Sequence, residues 1–145
     1  MKSNLLYPLL VIVVFASGCF GNKNSAPAPA IPSGNFTGQF RRVHTSPRNG
    51  AMDTLKANLM LSLNVTTGFA VTGDTATVHA GSHGSYAIGS SYIEFSDVTF
   101  PPTGTPTKIH LSGVYQYYYD GTVFQMVANS YLDTISYQYD MKKVN

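Results

Sequence analysis

The stretch YQYYYDGTVFQMV, residues 115–127, carries the clearest signal of how the chain folds. Tyrosines at every second position up to Tyr119 place three large rings on one face of an extended strand, because side chains alternate between the two faces. Asp120-Gly121 then supplies the residue types that a type I′ hairpin turn requires. A second apolar run follows at 122–127. The stretch therefore predicts two antiparallel strands joined by a tight turn.

The same alternation recurs along the chain from Gly34, and no helical stripe there exceeds two turns. Turn signals separate the alternating runs, and residues 45–50 and 101–106 form longer loops rich in turn residues. This pattern predicts eight or nine strands, most of them joined to their sequence neighbours. The apolar positions of three runs are Leu55, Ala57, Leu59, Leu61, Leu63 and Val65; Ile109, Leu111, Gly113, Tyr115, Tyr117 and Tyr119; and Ile135, Tyr137, Tyr139 and Met141. The weaker turn signals are Gly73-Asp74, Gly89-Ser90 and Asn129-Ser130.

An all-β chain of neighbouring hairpins must protect the edges of its sheet. Closure into a barrel removes the edges, and connections between neighbours favour the up-and-down arrangement. We therefore expect residues 34–145 to form a single antiparallel up-and-down β-barrel of about eight strands. A β-sandwich is the alternative, because periodicity alone does not separate the two architectures.

Residues 1–18 have the organisation of a secretory signal peptide. Lys2 precedes an apolar run over residues 5–15, and the small residues Ala16, Ser17 and Gly18 follow. This order of a basic start, a short apolar segment and a small-residue cleavage site is typical of exported proteins. The run is shorter than the roughly 20 residues that span a bilayer.

Cys19, the one cysteine of the chain, follows that segment directly. Ala16-Ser17-Gly18-Cys19 resembles the lipobox of bacterial lipoproteins, and the resemblance implies cleavage before Cys19 and acylation of its thiol. Two or three acyl chains anchor a protein stably, whereas one binds only marginally. A buried structural cysteine is the alternative. Phe20, rather than an aspartate, follows the cysteine, which by the same resemblance implies an outer-membrane anchor facing the periplasm.

Residues 19–33 differ in composition from the rest of the chain. They are polar and then alternate Ala and Pro, which favours an extended, semi-rigid spacer between the lipid and the barrel. The formal net charge of the whole chain is only +2. A balance this small gives no electrostatic field for binding nucleic acid. The only local basic cluster, Arg41, Arg42 and Arg48, is interpreted as a solvated strand edge and loop.

The barrel region resembles the small lipocalin-like lipoproteins of Gram-negative bacteria. Phe36 stands where lipocalins proper have a tryptophan, and Lys142 and Lys143 stand where their last strand supplies an arginine. The resemblance implies a barrel whose mouth holds a small apolar or amphipathic ligand. The segments that carry it are Gly34-Asn35-Phe36, Gly84-Ser85-Tyr86, Tyr92–Asp97, Leu111-Ser112-Gly113-Val114-Tyr115 and Tyr137.

The aromatic residues on the inner faces are the candidate ligand-binding residues. Tyrosine combines a large apolar ring with one hydroxyl that requires a partner, so it suits either a ligand cavity or a filled core. An eight-stranded barrel has room for either outcome. The candidates are Phe36, Tyr115, Tyr117, Tyr119, Tyr137 and Tyr139.

Catalytic and metal sites have little support in the sequence. His79 and His83 flank a predicted turn, but a metal site needs further ligands, for which Asp74 and His44 are the candidates. Glu94 and Asp97 lie three residues apart on one strand, so they face opposite sides and are interpreted as solvated. No Gly-x-Ser-x-Gly segment occurs. We expect a non-enzymatic protein without a metal or cofactor.

A barrel-type inhibitor of a lysozyme or protease is the competing functional hypothesis. Such a protein would use an exposed reactive loop, for which residues 45–50 or 82–85 are the candidates. The identity of a protein partner is not encoded in any motif of the sequence.

Overall fold

The structure, a computed structural model, describes residues 30–130 and 134–144. The predicted signal peptide, Cys19 and most of the predicted linker lie outside the described residues. The described part contains no helix long and apolar enough to cross a membrane. Its eight strands are β1 (Gly34–Thr45), β2 (Met52–Asn64), β3 (Gly68–Gly73), β4 (His83–Ile88), β5 (Tyr92–Asp97), β6 (Gly113–Tyr119), β7 (Val123–Asn129) and β8 (Ile135–Val144).

The strands form a closed barrel in which each pairs with its sequence neighbours and β1 closes on β8. Every pairing is antiparallel, and β1 opposes β8 from Asn35↔Val144 to His44↔Ile135. Closure leaves no sheet edge to protect. The prediction of an up-and-down barrel is confirmed, and the sandwich alternative is wrong.

The two ends of the barrel differ. At one end, called the rim, the odd-numbered strands end and the even-numbered strands begin, so the long connections 74–82 and 98–112 lie there. At the other end, called the base, β1 begins at Gly34 and β8 ends, and the connections are short. The chain therefore enters the barrel at the base, opposite its long loops.

The interior is filled by side chains that alternate inward along the strands. In β2, Ala57, Leu59, Leu61 and Leu63 are buried, whereas Met60 points outward and is 50% exposed. Leu55 and Val65, predicted to share the buried face, are exposed because they lie at the rim and in the β2–β3 turn, beyond the packed layers. The other buried apolar residues are Phe36, Phe40, Phe69, Val71, Ile93, Phe95, Leu111, Tyr115, Phe124, Met126, Tyr139 and Met141.

The hairpin of residues 115–127 turns one residue later than predicted. Tyr119 opposes Phe124, so Gly121-Thr122 rather than Asp120-Gly121 occupies the turn. Gly121 has a positive φ of 100°, which suits glycine at the first turn position. The Asp120 carboxylate accepts the backbone N–H groups of Thr122 and Val123 at 2.8 and 2.7 Å. A turn at Asp120-Gly121 would have paired Tyr119 with Thr122, whereas Tyr119 pairs with Phe124. This shift of two residues keeps the same side chains on the inner face, so the inward tyrosines still face the core.

A second difference concerns residues 109–112, whose alternation predicts a longer β6. Strand β6 begins only at Gly113, and Ile109 instead forms a parallel bridge with His79. Backbone hydrogen bonds from Ala80 to Ile109 and from Ile109 to Val78, at 2.8 and 3.0 Å, join the two long connections. The alternating segment does pair with another part of the chain, but its partner is the connection 74–82 rather than a strand of the barrel.

Candidate functional site: a cleft at the rim of the barrel

A cleft of about 630 Å³ opens at the rim, between the connection 98–112 and the rim ends of four strands. Strands β1, β6, β7 and β8 contribute inward-facing residues, and the connection closes the opposite wall. We call this site the rim cleft. Its lining residues are Arg42, Phe100, Thr105, Pro106, Thr107, Lys108, Ile109, His110, Ser112, Gly113, Tyr115, Ala128, Asn129, Ser130 and Tyr137.

A buried hydrogen-bonded chain lies beneath the cleft. His79 is fully buried, and its Nδ1 lies 2.7 Å from the carbonyl oxygen of Ala80. Because a carbonyl only accepts, Nδ1 carries the proton, and Nε2 accepts from the Tyr139 hydroxyl at 2.8 Å. The ring of Tyr115, which lines the cleft, packs edge-on against that of Tyr139, with 5.6 Å between the ring centroids. Tyr115 in the floor therefore packs against a tyrosine whose own position is fixed by the bond to His79.

Burial shifts the pKa values of these three groups. Burial lowers the pKa of His79 to about 4, against a smaller opposing effect of its bond to Ala80, so the imidazole is neutral at neutral pH. Burial raises the pKa of Tyr115 to about 12 and that of Tyr139 well above its usual value. The floor of the cleft is therefore uncharged and presents hydroxyl groups.

One wall of the cleft carries an imidazole held by a carboxylate. Nδ1 of His110 lies 2.8 Å from Oδ2 of Asp97, whose side chain is inaccessible to solvent. Burial raises the pKa of Asp97, but hydrogen bonds from Thr99, His110 and Ser82 outweigh it and hold the pKa below its usual value. Asp97 is therefore ionised at neutral pH and accepts the Nδ1 proton of His110. This arrangement fixes the ring and leaves Nε2 as its remaining polar atom.

Arg42 supplies the positive charge on the opposite wall. It follows Phe36 and Phe40 at even spacing on the inner face of β1, where it opposes Tyr137 of β8. Its Nη2 is 3.9 Å from Asp53, a residue whose side chain is 67% exposed, and its Nε is buried without a hydrogen-bond partner among the described residues. The interpretation of Arg42 as part of a solvated strand edge is therefore wrong, because the strand continues its alternation through this residue.

The six predicted aromatic residues all lie on inner faces, but only two of them line the cleft. Tyr115 and Tyr137 do so. Tyr139 lies beneath the cleft, and Phe36 is fully buried near the base. The remaining two hydroxyls donate to turn carbonyls at the base: Tyr117 to Gly89 at 3.2 Å and Tyr119 to Gly121 at 2.9 Å.

The other chemically interesting pairs are separated. His79 is buried with both ring nitrogens engaged, whereas His83 is exposed at the start of β4. Residues 30–130 and 134–144 hold no group of three His, Cys, Asp or Glu placed to bind a metal ion. Glu94 points outward from β5, as predicted. Asp97 was predicted to be solvated, and its buried side chain shows that interpretation to be wrong.

The two candidate reactive loops also differ. Ser82 is buried and His83 begins strand β4, so residues 82–85 do not protrude as a loop. In the β1–β2 connection, residues 47–50 are exposed. Only the latter segment has the exposure that a protein-binding loop requires.

Two further clefts lie elsewhere on the barrel. One, of about 410 Å³, is on the outer face of β6–β8 and β1, beside the ion pair of Arg41 and Asp140. The other, of about 640 Å³, lies between the β2–β3 turn and β4. The rim cleft differs from both because it combines inward-facing polar groups of several strands with a long loop.

Comparison of the chain with protein-family models, curated proteins and solved structures gave no match. The chemistry of the rim cleft therefore rests on its own residues. The rim cleft combines apolar walls, uncharged hydroxyls, an oriented imidazole, one guanidinium and the ammonium group of Lys108.

Proposed function

We propose that the chain is a lipid-anchored binding protein that takes a small amphipathic molecule into the rim cleft. The rim cleft itself is the observation that carries this proposal. Its volume of about 630 Å³ lies within the 300–1,000 Å³ typical of small-molecule sites. Such sites combine apolar walls with a few placed polar groups, and here Phe100 and Ile109 supply apolar surface beside Arg42 and Tyr115.

The direction of the chain supports an anchored binding protein. Strand β1 begins at the base, so a tether at residues 19–33 would join the barrel at the end opposite the cleft. A lipid on Cys19 would then leave the rim accessible to solutes. We propose the periplasmic face of the outer membrane as the location, on the strength of the lipobox-like segment and Phe20.

The anchor is tested by Cys19→Ala. We expect the wild type to incorporate labelled palmitate and to fractionate with membranes, and the variant to do neither. A variant that still incorporates the label and stays with membranes would overturn the proposed anchor.

Ligand binding is tested by native mass spectrometry of the full chain after purification in mild detergent. We expect an additional mass that is lost on denaturation. Ala128 lines the cleft opposite Tyr137, so Ala128→Phe should fill the cleft and remove the additional mass. Val114→Phe, on the exposed face of β6, is the matched control and should retain it. A bare polypeptide in all three proteins would contradict the proposal and direct the search to protein partners of residues 47–50.

A further inference from the structure

We infer that the rim cleft selects an organic carboxylate with a compact aromatic body, and that Arg42 binds the carboxylate. This inference rests on the proposed function and adds the chemical class of the ligand. It follows from the charge of the lining, from the hydrogen-bonding state of Arg42 and from the shape of the apolar walls.

The described lining of the cleft carries positive charge and no carboxylate. Its cations are Arg42 and Lys108, and the acidic residue behind the wall, Asp97, is occupied by His110. Lys108 donates to the carbonyl oxygen of Thr75 at 2.8 Å, which engages its ammonium group in holding the two long connections together. Lys108 keeps two further N–H donors, but of these two lining cations Arg42 has the planar guanidinium whose paired donors match a carboxylate.

Arg42 also has unused hydrogen-bonding capacity. A guanidinium has five N–H donors arranged to match the two oxygens of a carboxylate. Its contact with Asp53 is long, at 3.9 Å, and involves a carboxylate that is mostly in solvent. The buried Nε without a partner is unfavourable in the protein alone, because a buried donor without an acceptor loses its hydration. Because this atom is closed to solvent, a ligand carboxylate would bind the terminal nitrogens of the guanidinium, whose described contact is the long one with Asp53.

The tyrosines add no negative charge to the lining of the cleft. Tyr137 opposes Arg42 in the β1–β8 register, and Tyr115 lies in the floor. Burial raises the pKa of Tyr115 to about 12, so this hydroxyl stays uncharged at neutral pH and does not repel an anion. A cationic ligand would find no negatively charged partner among the described lining residues.

The apolar part of the cleft favours a flat body. The flat surfaces of the lining are the rings of Phe100, His110, Tyr115 and Tyr137, with Pro106 beside them. Phe100 remains 45% exposed although it lies in the cleft, so its ring has apolar surface that a ligand could cover. Aromatic rings bind other rings in offset or edge-to-face geometry, which a compact aromatic acid would satisfy.

The experiment compares two probes of equal shape and different charge, 2-naphthoate and 2-naphthamide. Each is titrated calorimetrically into the full chain in a neutral maltoside detergent, with the detergent buffer as the blank. We expect naphthoate to bind about tenfold more tightly or better, because a charge-assisted hydrogen bond contributes that much. Arg42→Gln should reduce the preference to less than about threefold.

Arg41→Gln is the matched control. It removes the same charge from the neighbouring residue, whose side chain points outward and pairs with Asp140. Arg41→Gln should therefore retain the preference for naphthoate. Equal binding of the two probes by the wild type would overturn the inference and leave the proposed function intact. A preference that survives in Arg42→Gln would overturn the assignment to Arg42, and no binding of either probe would count against both proposals.

Discussion

Nε2 of His79 lies 2.8 Å from the hydroxyl oxygen of Tyr139, although 60 residues separate them, and both side chains are buried in the barrel. The bond joins the connection 74–82, which links β3 and β4, to strand β8, which closes the barrel by pairing with β1. It therefore holds the connection 74–82 against the part of the barrel that lies beneath the rim cleft.

Replacement of Tyr139 by Phe should destabilise the protein by about 1–3 kcal/mol. The substitution keeps the ring but leaves Nε2 of His79 buried without a donor, and an unsatisfied buried polar group costs this much. The free energy of unfolding in urea measures the effect. Tyr118→Phe removes a hydroxyl from a side chain that is 57% exposed and should change stability by less than about 0.5 kcal/mol. Equal effects of the two substitutions would show that the buried bond contributes nothing.

Stability should fall as the pH is lowered from about 6.5 to about 4. Burial lowers the pKa of His79 to about 4 in the folded state, while the unfolded chain takes up this proton near pH 6.5. Between these values the unfolded state binds more protons, so acid favours unfolding, by up to about 3 kcal/mol over the whole interval. Urea denaturation at pH 7 and pH 4.5 measures the loss.

The variant His79→Gln should lose most of that pH dependence, whatever its stability at pH 7. Asp97 acts in a separate window, because its lowered pKa confines its destabilising protonation to pH values below about 4. An unchanged slope between pH 4.5 and pH 7 in His79→Gln would contradict the assignment of this dependence to His79.

The barrel could be predicted from local pattern, because strand faces and hairpins are encoded over a few residues. The period-two runs of β2 and β6 identified the inner faces, and Phe36 and Phe40 contain the signal that places Arg42 inside as well. The adjacent Arg41 conceals this pattern, because two consecutive arginines are typical of a solvated basic cluster. Counting the alternation past Phe40 would have identified Arg42.

The pairing of Asp97 with His110 could not be predicted in the same way. Asp97 ends β5 and His110 lies within the connection 98–112, so their contact depends on the path of that loop rather than on any periodicity. Likewise, His79 reaches Tyr139 only because residues 78–80 pair with Ile109 across the rim. Long-range contacts of loops are set by the assembled barrel, so the chemistry of the rim cleft emerges only from the tertiary structure.

His110 should exist as the Nδ1–H tautomer at pH values where its ring is neutral, because the ionised Asp97 accepts from Nδ1. Long-range ¹H–¹⁵N correlation spectra of the histidine rings report the tautomer directly. Asp97→Asn should shift His110 towards a mixture of tautomers and destabilise the protein by about 1–3 kcal/mol, since the bonds from Thr99 and His110 lose their charged acceptor.

Glu94→Gln is the control for the loss of a carboxylate from the same strand. Glu94 points outward from β5, so this variant should preserve both the His110 spectrum and the stability. An Nε2–H tautomer of His110 in the wild type would contradict the arrangement of the wall, and the inference that Nε2 is its remaining polar atom would then be lost.

Gly38→Ala should destabilise the barrel by about 3 kcal/mol or more, the upper range for overpacking a core. Strand β1 passes so close to β8 at this position that an added Cβ would overlap the carbonyl oxygen of Asp140 and lie 2.7 Å from Cα of Met141. These are backbone atoms, so relief requires the two strands that close the barrel to separate. Thermal unfolding followed by circular dichroism, or failure to purify a folded protein, would report the effect.

Gly81→Ala separates this steric effect from the general effect of replacing a glycine. The nearest atom to an added Cβ at Gly81 is the carbonyl oxygen of Val71 at 3.6 Å, which is ordinary contact, and the backbone there needs no positive φ. Its stability should change by less than about 1 kcal/mol and can increase, because alanine restricts the unfolded chain. If Gly38→Ala unfolded at the same temperature as Gly81→Ala, the close approach of β1 and β8 at the closure would be wrong.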